Sequence, residues 1–257
     1  MINKILIVCG DPNSINSEII HKTWNKLNKS QKKKIYLIGS YDLMLAQLQK
    51  LKFKNRLIKV NNTYANLNSK FLKIIDIPLN FTNPFKVSLE LSKKYISESF
   101  DLAHKLALNK KVKGIINCPV DKNLLRFSKK IGVTELLAFK CNIKNNSEVM
   151  MIYNKKLSVV PLTTHIKVKD ISKNISTNLI VKKISTLNKS YIKLFRAKPK
   201  IGILGLNPHN GEMKKDAEER TKILPAILSL KKKNIDIQGP IVADTAFVNV
   251  NKKINVI

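Results

Sequence analysis

Two histidines stand where apolar, strand-like runs end in loops, and their side chains could bind a divalent metal ion. His165 ends the run LSVVPLTTH, and His209 lies in the segment GLNPHNGE, which follows the apolar run Ile201–Leu206. Open α/β sheets place ligands at the carboxyl ends of their strands. Neutral imidazoles bind zinc, cobalt or manganese, so both histidines are candidate metal ligands; for each, a structural, hydrogen-bonded role is the alternative. A complete site needs at least one more protein ligand.

A carboxylate near the end of the chain is a third candidate for chemistry. Asp244 lies in the segment VADTAF, after a Gly-Pro pair and three apolar residues. An acid in that position could handle a proton or lie beside a metal. Capping of a turn is the alternative.

Three further loops contain groups that could contact an anion. The segment GDPNSINS, residues 10–17, follows the first strand-like run, where backbone N–H groups can receive an anion. It lacks the spacing GxGxxG, so a plain turn with Ser17 as a helix cap is the alternative. Lys122, in NCPVDK, could reach a phosphate or a carboxylate, unless the proline there only shapes the turn. Thr134, in GVTE, could simply cap the helix that follows.

Length and composition predict a globular protein without membrane spans. The chain has 257 residues, of which 44% are hydrophobic, enough for one large domain or two modest ones. No stretch approaches the roughly 20 apolar residues of a membrane span, and the N-terminal run lacks a cleavage site for export. The three cysteines are scattered without CxxC spacing, so neither a disulfide framework nor a cysteine metal site is indicated. These features favour the cytoplasm.

The net charge of +31 raises the alternative of a nucleic-acid-binding protein. The distribution of the charge argues against it. Only four of the basic residues are arginines (Arg56, Arg126, Arg196 and Arg220), and the lysines are spread along the chain. Arginine is the residue suited to bidentate recognition of bases and phosphates. We therefore expect no nucleic-acid partner, and a basic binding protein remains the alternative from outside the enzymes.

Short apolar runs alternate with helical patterns, which predicts an α/β fold. The predicted strands are Lys4–Val8, Lys34–Ile38, Gly114–Val120, Glu148–Tyr153, Leu157–Leu162 and Ile201–Leu206. The predicted helices are Ser17–Leu27, Tyr41–Leu51, Ser88–Leu108, Lys169–Leu194 and Ala217–Lys232. The segment Lys54–Thr82 is rich in Asn and Lys and is interpreted as irregular strands and loops. A basic, polar stretch places an approximate domain boundary between residues 127 and 128.

Six motifs, taken in order, resemble the 4-hydroxythreonine-4-phosphate dehydrogenase (PdxA) family. They are GDP at residues 10–12, GIINCPVDK at 114–122, GVTE at 132–135, TTH at 163–165, GLNPHNGE at 205–212 and GP-x-x-ADT-x-F at 239–247. Together they span the whole chain, and GLNPHNGE with TTH is the most specific part.

The resemblance implies an isocitrate/isopropylmalate dehydrogenase-like fold of two α/β/α subdomains with the active site between them. It also implies NAD and a divalent metal (zinc, cobalt, magnesium or manganese) as cofactors, and a homodimer that shares metal ligands across its interface. In such a protein His165 and His209 bind the metal and Thr134 contacts the phosphorylated substrate. The family usually has a histidine at the position of Val133, so this chain lacks one polar contact to substrate.

A second departure lies at the end of the chain. Members of the family continue past the point that matches Ile257, and the further segment includes a third metal-binding histidine. The sequence therefore predicts a protein truncated at its C-terminus, with the C-terminal part of the second subdomain missing and the metal site incomplete.

The favoured function is metal-assisted, NAD-dependent oxidation and decarboxylation of 4-phosphooxy-L-threonine to 3-amino-2-oxopropyl phosphate, a step in pyridoxal 5'-phosphate (vitamin B6) biosynthesis. Asp244 is expected to help handle the proton. One alternative is a related dehydrogenase of a four-carbon phosphorylated aldonate, motivated by Val133. Another is an inactive, truncated homologue.

Overall fold

The computed structural model describes residues 4–61, 63, 68–109, 112–128, 132–143, 147–164, 166–247 and 254–257. Contacts divide the chain into two compact units, Met1–Lys140 and Cys141–Ile257. The division falls after the predicted boundary at residues 127/128, because the intervening helix packs into the first unit. In that helix, Leu136 is buried in the first unit's core, and Val133 and Leu137 pack against the same core.

The described part of the first unit contains a parallel sheet of five strands in the order β3–β4–β2–β1–β5. The strands are β1 (Ile5–Val8), β2 (Ile35–Gly39), β3 (Arg56–Lys59), β4 (Phe71–Asp76) and β5 (Gly114–Asn117). The helices are α1 (Asn16–Lys26), α2 (Lys29–Lys34), α3 (Tyr41–Lys50), α4 (Leu89–Leu108) and α5 (Val133–Lys140), with a 3₁₀ turn at Lys122–Ser128. All strands are parallel, so their carboxyl ends and the following loops lie along one edge of the sheet.

Both faces of this sheet are covered, which explains why its strands are nearly continuous apolar runs. Alternate residues point to opposite faces. One face packs against α4 in a core that contains Leu6, Tyr36 and Phe100. The other forms a core with Leu37, and with Trp24 from α1. The α/β class and the elements β1, β2, β5, α1, α3 and α4 therefore agree with the sequence prediction to within a few residues.

Strand β4 is the main element of this unit that the sequence analysis did not identify. Its sequence is FLKIID, and Lys73 in its middle is 1% exposed. The Lys73 ammonium donates to the carbonyls of Lys32 (3.1 Å) and Lys33 (2.9 Å) in the last turn of α2, and it lies 4.4 Å from the ring centroid of Tyr36. A lysine in a central strand broke the apolar pattern. The structure accommodates it because the end of a helix supplies acceptor carbonyls.

The buried ammonium makes stability depend on alkaline pH. Burial, together with the nearby charge of Lys4, lowers the pKa of Lys73 from 10.5 to about 8. The unfolded chain holds this proton up to the ordinary pKa, whereas the folded protein releases it near pH 8, so stability rises with pH between these values. Relative to Lys73→Met, the wild type should gain on the order of 2 kcal/mol between about pH 7.5 and about pH 10 in denaturant unfolding.

The matched control for this prediction is Lys70→Met, which removes an exposed lysine at the entrance to the same strand. We expect no pH-dependent difference between Lys70→Met and the wild type. A difference between Lys73→Met and the wild type that stays constant over the same pH range would contradict the prediction.

The second unit is built around two parallel strands and a two-helix layer. Its elements are α6 (Ile171–Asn174), α7 (Thr177–Phe195), β6 (Ile201–Leu204), α8 (Leu224–Lys231) and β7 (Ile237–Ile241), with a 3₁₀ turn at Val168–Asp170 and a π-helical turn at Glu219–Ile223. Val256 bridges to both Ile201 and Ser158, so the last described residues lie beside β6. Ile184 of α7 and Leu230 of α8 are buried in the core of this unit.

Three predictions for this unit need correction. The helix predicted over Lys169–Leu194 is interrupted, because the Ser176 hydroxyl accepts the Leu179 N–H at 3.2 Å and starts a new helix, α7. The runs Glu148–Tyr153 and Leu157–Leu162 form only single bridges, such as Ile152 with Val159, and no extended strand. The strand β7 was not identified, because its sequence IQGPI contains glycine and proline.

Over the described ranges, no helix combines the length and the apolar character needed to cross a bilayer. The three cysteines are free thiols, of which Cys9 and Cys118 are buried and Cys141 is exposed.

Candidate functional site

His209 lies in a tight turn with unusual backbone geometry. The turn Pro208–Met213 follows β6, and its φ angles are positive from His209 (48°) through Gly211 (55°) to Met213 (54°). Left-handed backbone costs a non-glycine residue on the order of 1 kcal/mol, so a run of such residues needs support from its surroundings. The side chain of His209 is 78% exposed. The turn therefore presents the imidazole to a ligand from solvent.

The structure brings Asp244 next to this imidazole. Asp244 lies in the turn that follows β7, and its Oδ2 is 3.8 Å from Nδ1 of His209. Two atoms that bind one metal ion at about 2.1 Å each lie roughly 3.4 Å apart in tetrahedral geometry. The pair therefore needs only a small side-chain movement to share a divalent ion. The sequence analysis identified both residues, but not their proximity.

A buried carboxylate supports the first half of the His209 turn. Glu219, which is fully buried, accepts hydrogen bonds from the backbone N–H groups of Leu206 and Asn207, both at 2.7 Å, and from the side-chain amide of Asn207 at 3.1 Å. On the other side, the Asn210 amide donates to the Pro240 carbonyl at 3.0 Å. These contacts hold the start and the middle of the turn.

Hydrogen bonds lower the pKa of Glu219 and that of its neighbour Glu218. Burial alone would raise the pKa of Glu219, but the hydrogen bonds from Asn207 and Leu206 outweigh it and the pKa is lowered. The pKa of Glu218 is lowered by hydrogen bonds from Ser172 and Asn207. Both carboxyl groups are therefore held as carboxylates at neutral pH.

Sequence reasoning did not identify Glu218, Glu219 or Asn207. One signal was available. Only 17 of the 257 residues are acidic, and two of them are adjacent in the first turn of a predicted helix whose middle is apolar. Adjacent carboxylates entering a buried face need donors, and a nearby loop rich in backbone N–H groups can supply them.

His165, the other predicted metal ligand, lies outside the described residues. Within the described part of the chain, no group of three or more His, Cys, Asp or Glu residues is arranged to hold a metal ion. His209 and Asp244 therefore form a pair of candidate metal ligands. The role of His165 as a further ligand stays a prediction.

In the first unit, the loops after β1 and β5 lie together at the carboxyl edge of the sheet. Asp11 N–H donates to the Pro119 carbonyl at 3.1 Å, and the Asn16 amide donates to the same carbonyl at 2.9 Å. The interpretation of Ser17 as a helix cap is wrong. Helix α1 already begins at Asn16 without a side-chain cap, and the Ser17 hydroxyl is buried with no hydrogen-bond partner.

The predicted substrate contacts Thr134, Val133 and Lys122 belong to this first unit. Thr134 is exposed in the first turn of α5, one residue after the helix begins, so it does not occupy the cap position. Val133 packs partly against the core. Lys122 is exposed at the start of its 3₁₀ turn. Thr134 and Lys122 are thus accessible to an anion, and their substrate roles remain predictions.

One known protein family matches most of the chain. The sequence profile described as "Pyridoxal phosphate biosynthetic protein PdxA" matches residues 30–256, which include α5, the His209 turn and Asp244. The chain belongs to the PdxA family. The resemblance inferred from the motifs is therefore confirmed.

Individual relatives agree with this family. The chain is 34% identical over 253 residues to the 4-hydroxythreonine-4-phosphate dehydrogenase of a Sulfurihydrogenibium species; the match covers 95% of this PdxA-family chain and 76% of the relative. A crystal structure of a 4-hydroxythreonine-4-phosphate dehydrogenase from Burkholderia phymatum superposes with a TM-score of 0.86 at 25% identity. It covers all of this chain and 79% of the other. This superposition confirms the predicted α/β fold class.

A relative with a different named substrate also matches part of the chain. The D-threonate 4-phosphate dehydrogenase of Cupriavidus necator is 33% identical over 151 residues, which is 57% of this chain and 45% of the relative. The relatives of the chain therefore include proteins named for two phosphorylated four-carbon hydroxy acids.

Proposed function

We propose that the chain is a cytoplasmic dehydrogenase that oxidises and decarboxylates 4-phosphooxy-L-threonine to 3-amino-2-oxopropyl phosphate, with NAD and a divalent metal as cofactors. The observation that carries this proposal is the juxtaposition of His209 and Asp244 at 3.8 Å, in a chain of the PdxA family. The extended match to a 4-hydroxythreonine-4-phosphate dehydrogenase supports the choice of substrate.

The donor set fits a divalent metal such as zinc, cobalt, magnesium or manganese. His209 supplies an exposed imidazole and Asp244 an adjacent carboxylate, which are both common ligands of such ions. His165 is the proposed source of a further ligand, and the metal site is proposed to be shared across the interface of a homodimer. A metal bound there would lower the pKa of the substrate hydroxyl and stabilise negative charge on its oxygen.

The chemistry divides into two steps. The hydroxyl carbon of the substrate loses a hydride, which NAD accepts, and the hydroxyl oxygen loses its proton. The product is a β-keto acid, which loses CO₂ and takes up a proton at the carbon left behind. In this scheme His209 orients the hydroxyl oxygen. The Asp244 carboxylate, whose Oδ2 lies 3.8 Å from Nδ1 of this imidazole, is assigned the role of taking the hydroxyl proton.

The phosphate of the substrate is assigned to residues of the first unit. Thr134 is exposed at the N-terminus of α5, where the unpaired N–H groups and the helix dipole favour an anion. Lys122 is also exposed and adds a positive charge. Both residue types are suited to phosphate, and neither is engaged in the core.

Formation of NADH from 4-phosphooxy-L-threonine tests the proposal. We expect turnover that requires a divalent ion and that stops when a chelator is added. Release of CO₂ should match NADH formation in amount, because each oxidation is followed by one decarboxylation. Absence of NADH formation over a range of zinc, cobalt, magnesium and manganese concentrations would contradict the proposed function.

A dehydrogenase of a phosphorylated four-carbon aldonate is the second candidate. Val133 favours it, because an apolar residue beside Thr134 cannot hydrogen-bond a substrate group, and an unpaired polar group in a binding site is costly. The partial match to a D-threonate 4-phosphate dehydrogenase is consistent with it. The same assay with D-threonate 4-phosphate decides between the two, since the physiological substrate should show the higher kcat/KM.

A further inference from the structure

The His209 turn wraps around the carboxylate of Glu219. The two oxygens of Glu219 accept four hydrogen bonds from Leu206 and Asn207. Gly205, which precedes the turn, and Gly211, in its middle, both lie close to this carboxylate. A Cβ atom on Gly205 would overlap Oδ1 of Asn210 and lie 3.2 Å from Oε1 of Glu219. A Cβ atom on Gly211 would lie 3.0 Å from Cβ of Ala217 and 3.2 Å from Oε2 of Glu219. The turn is therefore shaped around one buried negative charge.

Glu218 extends this support to a second segment. Its Oε2 accepts the Asn207 amide at 2.9 Å, and its Oε1 accepts the hydroxyl of Ser172. The Lys222 ammonium donates to the Ser172 carbonyl at 2.8 Å, which adds a second contact between the π-helical turn Glu219–Ile223 and α6. Ser172 lies in α6, shortly after the position of His165 in the chain. The two adjacent glutamates thus join the His209 turn to the segment that follows the other predicted metal ligand.

The backbone around the glutamates is also specialised. Glu219 begins a π-helical turn that precedes α8. Such turns are uncommon and occur often at functional sites, because the extra residue re-aims the side chains at its start. Here the two neighbouring glutamates have different partners. Glu219 accepts the backbone N–H groups that precede the His209 turn, and Glu218 accepts the Ser172 hydroxyl of α6.

We propose that Glu219, assisted by Glu218, is a positioning residue that holds the left-handed His209 turn in the geometry required to bind a divalent metal. The proposal rests on the proposed function in one respect, the role of His209 as a metal ligand. A carboxylate suits this task better than an amide. Leu206 and Asn207 contact the carboxylate through N–H groups, and the NH₂ group of a glutamine in the place of Oε2 would face the Asn207 NH₂ group without an acceptor.

The test compares Glu219→Gln with the wild type and with Glu212→Gln. Glu212 lies in the same turn, but it is exposed and pairs only with the exposed Lys214 at 2.9 Å. Cobalt binding is measured by calorimetry, and the visible spectrum of the bound ion reports its coordination geometry. We expect Glu219→Gln to bind Co²⁺ at least tenfold more weakly (about 1.4 kcal/mol) with an altered spectrum, and Glu212→Gln to match the wild type.

A second readout does not depend on the metal. In the metal-free protein, the NMR signals of the His209 imidazole should shift or broaden in Glu219→Gln and stay unchanged in Glu212→Gln. Wild-type affinity, spectrum and imidazole signals in Glu219→Gln would overturn the proposal. If the wild type itself binds no Co²⁺, the metal-assisted function fails, and the imidazole signals alone decide the positioning role.

A milder variant guards against loss of folding. Asn207→Ser removes the amide that donates to both glutamates but keeps the two backbone hydrogen bonds to Glu219. We expect a smaller change in the same direction for cobalt affinity and imidazole signals. Wild-type behaviour of Asn207→Ser, together with failure of Glu219→Gln to change the imidazole signals at a temperature where it is folded, would count against the proposal.

Discussion

Replacing His209 with alanine is expected to lower kcat/KM for metal-dependent NADH formation at least about 100-fold, or about 2.7 kcal/mol in transition-state stabilisation. The substitution removes the exposed imidazole and leaves the Asp244 carboxylate as one donor of the pair. Steady-state kinetics at several metal concentrations measure the effect. Because the side chain is exposed, the midpoint of thermal unfolding should change little.

A histidine elsewhere in the chain provides the control. His104→Ala alters the long helix α4 of the first unit and should leave kcat/KM within about twofold of the wild type, because His104 has no role in the proposed chemistry. If His209→Ala retained kcat/KM within about threefold of the wild type, His209 would not be a ligand of a catalytic metal.

The second large effect is expected on stability, from Gly10→Ala. Gly10 follows β1 with a φ of +76°, and a Cβ atom there would lie 2.5 Å from the Pro119 carbonyl oxygen and 3.0 Å from that of Cys118. Both contacts are backbone atoms directly after β5, so relief would require shifting the chain where β1 and β5 are paired. The strained φ and the clash together should lower the free energy of unfolding by about 3 kcal/mol or more, measured by urea unfolding.

Gly114→Ala is the matched control for this stability effect. Gly114 begins β5, has no left-handed φ, and a Cβ atom there would meet no other atom within 4 Å. We expect a change in the free energy of unfolding of less than about 1 kcal/mol, in either direction. Equal destabilisation by the two substitutions would show that the close approach at Gly10 is relieved without cost.

Local patterns in the sequence determined the fold class and most of the elements. The apolar runs at β1, β2, β5 and β6 are short, uninterrupted and separated by helical patterns, and each such run is recognisable without knowledge of its neighbours. The motifs around Thr134, His209 and Asp244 were also sufficient to indicate the family, because they consist of contiguous residues.

Where an element depends on a distant partner, the sequence was insufficient. Strand β4 is interrupted by Lys73, and only the carbonyls of Lys32 and Lys33, about 40 positions earlier, make that lysine acceptable in a sheet. A local contact was also missed, because the single helix predicted over Lys169–Leu194 is divided by Ser176, whose hydroxyl caps α7 by accepting the N–H of Leu179.

The site shows the same distinction. The residue types of His209 and Asp244 indicated metal or proton chemistry, but their separation of 3.8 Å results from the adjacent placement of the parallel strands β6 and β7. The supporting role of Glu219 was not visible in the sequence, because its partners Leu206 and Asn207 lie 12 or 13 positions away and use backbone N–H groups. Backbone donors are common to nearly all residue types, so only the tertiary structure decides which of them a buried carboxylate meets.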